Sequence, residues 1–208
     1  MTRLRTQAIL LRSVDYGESD RIVHLLTPDT GRLTAIAKGA RRSVKRFPGT
    51  LDVFNHLLVD IDTRRRGGLA YLEQATLVHP FIGLRVLPAR YALASYLIEL
   101  FDRMAPEGGA RPDTRRIFEF ALASLSALQG LAPDLRLRIL FELRALEALG
   151  LRPELRHCVR CGEACKGSGP VAFHVADGGI VCGACAPRAE GLLSIQRGTL
   201  RVLEQAFG

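Results

Sequence analysis

Residues 1–79 carry short apolar runs that alternate with polar positions and are separated by turn-forming clusters. This period-two pattern predicts β-strands. The loop Pro28-Asp29-Thr30-Gly31 joins two of them, because glycine readily supplies the positive φ of a tight hairpin. Five short antiparallel strands suit a small closed barrel such as the oligonucleotide-binding OB-fold, although an SH3-like barrel gives a similar pattern. The predicted strands are Thr6–Leu11, Arg21–Thr27, Arg32–Ala37, Leu51–Ile61 and Leu69–Val78.

Residues 88–150 change to a period of about 3.6, with apolar side chains three and four positions apart. This spacing predicts three amphipathic helices that pack as a bundle through their apolar faces. Pro133 suits the first turn of the third helix, and Gly150 suits its end. The predicted core positions are Leu93, Tyr96, Leu97, Leu100, Phe101 and Met104, then Ile117, Phe118, Ala121, Leu122, Leu125 and Leu128, then Leu135, Ile139, Leu143 and Leu146.

The last fifty residues predict a hairpin and one further helix. Apolar runs at Val171–Val175 and Ile180–Val181 flank the turn signal Ala176-Asp177-Gly178-Gly179. The helix starts at Arg197, and its apolar pattern is still running at Gly208, which predicts an end that is either cut short or frayed. The predicted fold class is therefore α+β, with a barrel domain at 1–80 and a helical domain at 81–208.

The charge balance favours an anionic partner. The net charge is +8 and the pI is near 9.8, and nucleic acid is the commonest anionic partner of a basic soluble protein. Residues 1–80 hold 13 Lys and Arg against 8 Asp and Glu, whereas the remaining residues hold 16 against 13. The basic excess is concentrated in the predicted barrel. A GC-rich genome also favours arginine, so function need not explain each one.

Two features predict the cellular compartment. No apolar run is long enough for a transmembrane helix, and residues Met1–Arg5 do not open the apolar core of a secretory signal. We therefore expect a cytoplasmic protein without a membrane partner, associated with the nucleoid if its partner is DNA.

Four cysteines have the spacing of a metal site. Cys158 and Cys161 form one C-x-x-C pair, and Cys182 and Cys185 form a second pair after twenty residues. Each tight turn delivers two thiolates, and four thiolates complete a tetrahedral Zn²⁺ site with no open position for water or substrate. The spacing therefore predicts a structural zinc module at about 157–186. Gly162 and Gly183 lie in the two turns, where we expect a side chain to crowd the backbone.

Other uses of these cysteines remain open. Disulfides are disfavoured without a secretory segment, and no βαβ pattern supports a thioredoxin-like redox pair. Cys165 is predicted to be a spare thiol close to the site. It could replace Cys161 as a ligand, and His157 or His174 could also coordinate the metal.

Two basic clusters in the predicted barrel are candidates for nucleic-acid contact. The first is the loop 38–46, which follows a strand and precedes Phe47, and the second is Arg64–Arg66 between the last two predicted strands. Cationic loops neutralise phosphates and an aromatic ring can stack on a base, while arginine pairs bidentately with phosphate. The predicted contact residues are Arg32, Lys38, Arg41, Arg42, Lys45, Arg46, Phe47, Arg64, Arg65 and Arg66. A solvated loop without a partner is the alternative.

No catalytic motif stands out. The sequence contains neither a P-loop nor a G-x-S-x-G elbow. Asp15, Glu18 and Asp20 could form the metal site of a nuclease, but they lie in one turn, where Asp and Ser commonly bond the local backbone. We therefore predict no catalytic residue.

Several segments occur in a fixed order along nearly the whole chain. In the barrel they are Ala8–Arg12, Asp15–Ile22, Leu26-Thr27, Gly31–Leu33 and Ala37–Arg42, and after the helices they are Gly150–Pro153, Cys158–Gly162, Gly178-Gly179 and the second cysteine pair. Together they resemble the bacterial RecO family of DNA repair proteins. Tyr16–Asp20 and Lys38–Arg41 are the more specific segments.

The resemblance implies an OB-fold, a helical C-terminal domain with a zinc module, and relatives that continue beyond residue 208. It implies binding of single- and double-stranded DNA, annealing of complementary strands and, with RecR, loading of RecA onto DNA coated by single-strand binding protein. Three rival functions remain open: an RNA-binding OB/zinc-ribbon protein of transcription or translation, a metal-dependent nuclease, and a pure interaction adaptor.

Overall fold

The alternating pattern of the first 79 residues forms a closed barrel of five strands. The computed structural model describes residues 3–66, 69–108, 112–188 and 190–207, without the side chains of residues 64–66, 112 and 188. The strand order is β1-β2-β3-β5-β4, and β1 pairs with β4 to close the barrel. These pairs are antiparallel except β3 with β5, which is parallel. The OB-like barrel is confirmed, with strands β1 (Arg3–Tyr16), β2 (Asp20–Thr27), β3 (Gly31–Ala37), β4 (His56–Arg66) and β5 (Leu69–His79).

The fourth strand begins later than predicted. Residues 51–55 form a connection instead of a strand, because Phe54 adopts a φ of 72° that extended backbone cannot accommodate. Its N–H donates to the Leu10 carbonyl, and the Leu10 N–H donates to the Asn55 carbonyl. The Phe54 ring is fully buried and contacts the Tyr91 ring edge-on. Burial of this aromatic ring thus replaces the strand pairing that the apolar run suggested.

The barrel interior is filled by alternate residues of all five strands. Small side chains lie beside branched ones, which lets the narrow lumen pack without large voids. Two residues of the connection between β3 and β4 also belong to this core, Phe47 and Leu51. The core consists of Ala8, Leu10, Val23, Leu25, Leu33, Ala35, Ala37, Phe47, Leu51, Leu57, Val59, Ile61, Ala70, Leu72 and Ala75.

The helices follow the barrel as α1 (Gly83–Val86), α2 (Pro88–Met104), α3 (Pro112–Leu128) and α4 (Leu135–Ala148). α2 and α3 pack on each other, α2 also contacts β1 and β2, and α3 contacts β2 and β3. The predicted bundle included the packing of α2 on α3 but not their contacts with the barrel. The outer side of the barrel is itself apolar at Ile9 and Leu26, so it offers the two helices a face to cover.

The predicted apolar stripe of the third long helix is only partly buried. Leu135 is 67% exposed and Ile139 is 44% exposed, whereas Phe141, Ala145 and Ala148 are buried. The prediction of a buried core position is therefore wrong for Leu135 and Ile139, and also for Tyr96 and Met104, which are exposed on α2. Periodicity identifies an amphipathic helix, but the packing partner decides which part of its apolar surface is covered.

The C-terminal residues build a small sheet and a helix around a second apolar core. The strands β6 (Val171–His174), β7 (Gly179–Val181) and β8 (Leu192–Ile195) form an antiparallel sheet in the order β7-β6-β8. The predicted hairpin is confirmed as β6 and β7, while β8 has no counterpart in the sequence prediction. The helix α5 (Arg197–Ala206) contributes Leu200 to a core shared with Leu155, Val171, Ile180 and Phe207.

The chain divides into two compact units, one up to Phe141 and the other from Glu142 onward. The division at residue 80 stays a prediction. None of the helices in the described ranges is both long and apolar enough to cross a membrane.

Candidate nucleic-acid interface and metal centre

The basic loop, defined as residues 38–46, is an ordered series of turns after β3. Gly39 has a φ of 64°, which lets the chain turn sharply where a side chain would be strained. The Ala40 N–H donates to the Ala37 carbonyl, and the Arg42 N–H donates to the Gly39 carbonyl. At the far end, the Ser43 hydroxyl accepts from the Arg46 N–H, and the Arg46 carbonyl accepts from Ala75 of β5. The loop is thus fixed at both ends to the barrel.

The hairpin between β1 and β2 holds the first half of the basic loop. The Asp20 carboxylate accepts from the Gly39 N–H at 2.8 Å, and the Ser19 carbonyl accepts from the Arg41 N–H at 3.0 Å. The Arg41 guanidinium lies 3.4 Å from the Asp15 carboxylate and also donates to the Glu18 carbonyl. The acidic turn therefore serves as an anchor for the basic loop.

This anchoring removes the basis for a nuclease site in that turn. Asp15 is paired with Arg21 at 3.0 Å as well as with Arg41, and Asp20 is occupied by a backbone N–H. Within the described ranges, the group of His, Cys, Asp and Glu side chains placed to hold a metal ion consists of four cysteines. The sequence could have indicated the anchoring role, because Asp and Ser in a turn favour bonds to nearby backbone.

The exposed cations of the basic loop are Lys38, Arg41, Arg42, Lys45 and Arg46. Arg41 is paired with Asp15, and the Lys38 ammonium lies 5.2 Å from the centre of the Tyr71 ring. Among the residues that the structure describes, no acidic side chain pairs with Arg42 or Lys45. The Arg46 guanidinium donates to the Lys38 carbonyl and lies over the Phe47 ring. The two unpaired cations keep their full capacity for phosphate.

The structure corrects the role expected of Phe47. Its side chain is 4% exposed and belongs to the barrel core, so it cannot stack on a base. The position after a cationic run suggested a surface aromatic, but an apolar ring gains more free energy from filling the open end of the barrel.

Arg32, another predicted contact residue, is paired with acidic residues from a distant segment. Its guanidinium lies 2.9 Å from the Glu107 carboxylate and 3.7 Å from Asp102, and its side chain is only 22% exposed. The positive charge of Arg32 is therefore compensated by two acidic residues. Arg64–Arg66 form the end of β4 rather than a loop, and their side chains lie outside those that the structure describes.

The four predicted cysteine ligands lie together in the C-terminal unit. The Sγ atoms of Cys158, Cys161, Cys182 and Cys185 are all within 4.8 Å of one another, and those of Cys161 and Cys182 are 3.6 Å apart. In a tetrahedral zinc–thiolate site the sulfurs are separated by about 3.8 Å, given Zn–S bonds of about 2.3 Å. The donor set and its spacing therefore fit one metal ion.

The local backbone prepares this cluster for a cation. Burial raises the pKa of Cys158, but N–H groups of Cys182, Arg160 and Cys161 directed at its sulfur lower that pKa to about 6. Hydrogen-bonded contact with the thiols of Cys182 and Cys161 raises the pKa of Cys185 to about 12. Four adjacent thiolates repel one another, so a bound cation is needed to ionise them all.

The alternative ligands lie outside this cluster. The Cys165 thiol points to the Glu163 carbonyl, and burial together with the nearby thiolates of Cys158 and Cys182 raises its pKa. His174 pairs with Asp177 at 2.8 Å, and His157 lies 3.6 Å from the Glu154 carboxylate.

The prediction that a side chain would crowd the backbone is wrong at both turn glycines, because open space surrounds the missing Cβ of Gly162 and of Gly183. Gly162 still suits its turn, since its φ is 77°, a left-handed conformation that favours glycine.

Comparison with known proteins identifies the family. The family model "Recombination protein O N terminal" matches residues 1–81, and "Recombination protein O C terminal" matches residues 88–208. A protein of Anaeromyxobacter dehalogenans (strain 2CP-C) named "DNA repair protein RecO" is 39% identical over 98% of this chain and 78% of its own length. A protein of the same name from Syntrophobacter fumaroxidans is 36% identical over 99% of this chain and 80% of its own length. Another from Myxococcus xanthus is 38% identical over 94% of this chain and 78% of its own length. This chain, with an OB-like barrel within the first matched range and a four-cysteine cluster within the second, therefore belongs to the RecO family of DNA repair proteins.

Proposed function

We propose that this protein binds single- and double-stranded DNA through the basic loop and anneals complementary strands. The observation that carries the proposal is the pair Arg42 and Lys45, two exposed cations without an acidic partner in the described structure, on a loop that is otherwise firmly bonded to the barrel. A fixed loop presents its charges without a large ordering cost, which favours binding. Annealing needs no catalytic residue, because neutralising both phosphate backbones already removes their mutual repulsion.

Membership of the RecO family supports a place for this activity in recombinational repair. We propose that the protein acts with RecR and helps RecA load onto DNA coated by single-strand binding protein. The matched relatives carry the name of a DNA repair protein, and this chain covers more than three quarters of the length of those named above.

We also propose that the four cysteines hold one structural Zn²⁺. With four thiolate ligands the ion has no open coordination position, so it fastens the two cysteine turns together and activates no water. Its contribution is to the folding of the C-terminal unit.

Replacing Arg42 and Lys45 together by alanine tests the DNA-binding surface. The logarithm of the association constant should fall less steeply with the logarithm of salt concentration, by about 1.4 in slope for a single strand, since each lost phosphate contact contributes about 0.7. Binding can be measured by fluorescence anisotropy of a labelled oligonucleotide between low and high salt, and annealing by the quenching of complementary labelled strands. Both affinity and annealing rate should decrease.

The matched control replaces Arg115 and Arg116 by alanine. This pair also removes two positive charges, but both residues are on α3 and lie close to carboxylates, Arg115 to Asp29 and Arg116 to Asp113. An unchanged salt slope for the folded Arg42/Lys45 variant, or an equal loss in the control, would contradict the assignment.

A further inference from the structure

Tyr16 is an exposed aromatic residue at the tip of the β1–β2 hairpin. Its side chain is 54% exposed, and it forms the last pair of the β1–β2 ladder with Asp20. In the part of the chain that the structure describes, no ring or cation lies against it. The ring therefore leaves apolar surface in water that is accessible to a ligand.

Each of the other three tyrosine rings has one ring or cation placed against it. The Lys38 ammonium lies over Tyr71, the Tyr91 ring meets Phe54 edge-on at 5.2 Å, and the Arg138 guanidinium lies 4.9 Å from the Tyr96 ring centre. Among the residues that the structure describes, Tyr16 differs from them in having no ring or cation against its ring, and it is the most exposed of the four tyrosines.

A β-bulge directs Tyr16 outward. The pairing of β1 with β2 shifts register between Leu10 and Arg12. Leu10 points into the barrel core, so strict alternation would also turn residues 12, 14 and 16 inward. The extra residue reverses this, and Arg12, Val14 and Tyr16 are all exposed. The bulge thus places an aromatic ring and a cation on the same outer side of one strand.

Tyr16 is also linked to the basic loop. Its cross-strand partner Asp20 accepts from Gly39, and Ser19 accepts from Arg41, so the hairpin tip and the loop form one bonded structure. Directly paired residues lie about 5 Å apart across a ladder. Along β1 in the direction away from the hairpin tip, Arg12 lies four residues before Tyr16, about 13 Å from it. A strand that contacts the loop phosphates can reach the Tyr16 ring with a base.

We propose that Tyr16 stacks on a nucleobase of single-stranded DNA while Arg42 and Lys45 hold the adjacent phosphates. The inference rests on the proposed DNA-binding function and assigns to Tyr16 the base contact that the buried Phe47 cannot make. Every base has a π-face, so the contact tolerates any sequence, whereas in a duplex the faces are already covered by stacking.

The test compares Tyr16→Leu and Tyr16→Phe on three probes: an oligodeoxynucleotide, an abasic strand of the same length, and a duplex. Leucine keeps apolar bulk without a π-face, and phenylalanine keeps the face. Tyr16→Leu should bind the oligodeoxynucleotide about tenfold more weakly and the abasic strand and duplex as the wild type does. Its salt slope should be unchanged, because no cation is lost, and Tyr16→Phe should keep the wild-type affinity.

Intrinsic fluorescence provides a second readout. The chain has four tyrosines and no tryptophan, so stacking of Tyr16 should quench tyrosine emission on binding. Tyr16→Phe should bind equally well without this part of the quenching.

Each contrary result has a distinct meaning. Equal affinity of Tyr16→Leu and wild type for the oligodeoxynucleotide, or an equal loss on the abasic strand, overturns the stacking role while the salt slope still supports the basic loop. Absence of any salt-dependent binding by the wild type overturns the DNA-binding proposal and the stacking role together.

Discussion

At Gly179 two backbone segments approach so closely that only a hydrogen atom fits between them. A Cβ there would lie 2.7 Å from the Glu154 carbonyl oxygen and would also collide with the Val159 side chain. Around this point the Glu154 N–H donates to Gly178, the Ile180 N–H donates to Glu154, and the Val159 N–H donates to Ile180. These bonds join the chain around the first cysteine pair, Cys158 and Cys161, to the β6–β7 hairpin, which leads directly into the second pair.

Gly179→Ala should therefore destabilise the C-terminal unit by about 3 kcal/mol, because the clash involves rigid backbone that cannot move aside. Denaturant unfolding followed by circular dichroism measures the change. Gly169→Ala is the matched control, since nothing lies near its missing Cβ and its φ is not in the left-handed region. Equal stability of the two variants would show that the segments separate easily.

Phe47 and Tyr16 show how residue type and residue environment diverge. Both are aromatic residues close to cations in the sequence, yet one fills the barrel end and the other is solvent-exposed. Their chemical capacity for stacking is the same. Phe47 is buried through packing against strands that are distant in the sequence, and Tyr16 is turned outward by a β-bulge. Neither feature can be recognised from the neighbouring residues in the sequence.

At the scale of elements, the β1–β2 hairpin acts as a clamp on the basic loop. Four contacts link them: Asp20 with Gly39, Ser19 with the Arg41 N–H, the Asp15–Arg41 ion pair, and the Arg41 guanidinium with the Glu18 carbonyl. Acidic residues beside a DNA-binding loop would weaken affinity if only net charge mattered. Their bonds to the loop backbone indicate that they contribute through positioning.

Asp20→Ala separates the effect of net charge from the effect of loop positioning, because the two predict opposite changes in DNA affinity. Removing a negative charge should strengthen DNA binding by long-range electrostatics, whereas releasing the Gly39 N–H should loosen the loop and weaken binding. We expect affinity for a single strand to fall by about fivefold, as the loss of one hydrogen bond contributes about 1 kcal/mol.

Asp113→Ala is the control for this measurement. It removes the same charge from α3, where the carboxylate pairs with Arg116. Tighter binding by both variants in an anisotropy titration would mean that net charge outweighs the clamp.

At the scale of the whole molecule, the apolar core of the barrel and that of the C-terminal unit differ greatly in size. Among the residues that the structure describes, the barrel core contains fifteen buried residues and the C-terminal core five. A small core supplies little stability, and metal ligation commonly compensates for it. The four-cysteine cluster lies in the unit that needs this support.

Removal of the metal should thus unfold the C-terminal unit and leave the barrel intact. A strong chelator is expected to abolish protection of the amides in residues 155–200 from hydrogen exchange, while the strands of the barrel keep theirs. Metal analysis should give about one zinc per chain for the wild type and for Cys165→Ser, whose sulfur lies outside the cluster, and much less for Cys161→Ser. Retained protection after complete removal of zinc would contradict a structural role.

Local patterns in the sequence determined most of the secondary structure and the four-cysteine cluster. The alternation of apolar and polar residues predicted all five barrel strands, because one side of each strand faces the apolar interior. The two C-x-x-C pairs predicted that the four cysteines lie together, because a tetrahedral site needs four ligands at one point. The Tyr16–Asp20 and Lys38–Arg41 segments also indicated the family that the comparisons confirm.

Only the tertiary structure decided which surfaces are covered and which cations are unpaired. Arg32 meets acidic residues about seventy positions away, Phe47 enters the barrel end, and Leu135 and Ile139 are exposed on a helix whose pattern suggested burial. Burial and charge pairing depend on contacts between distant segments, and a local window of sequence contains no record of them. Residue type fixes what a side chain can do, and the fold fixes what it meets.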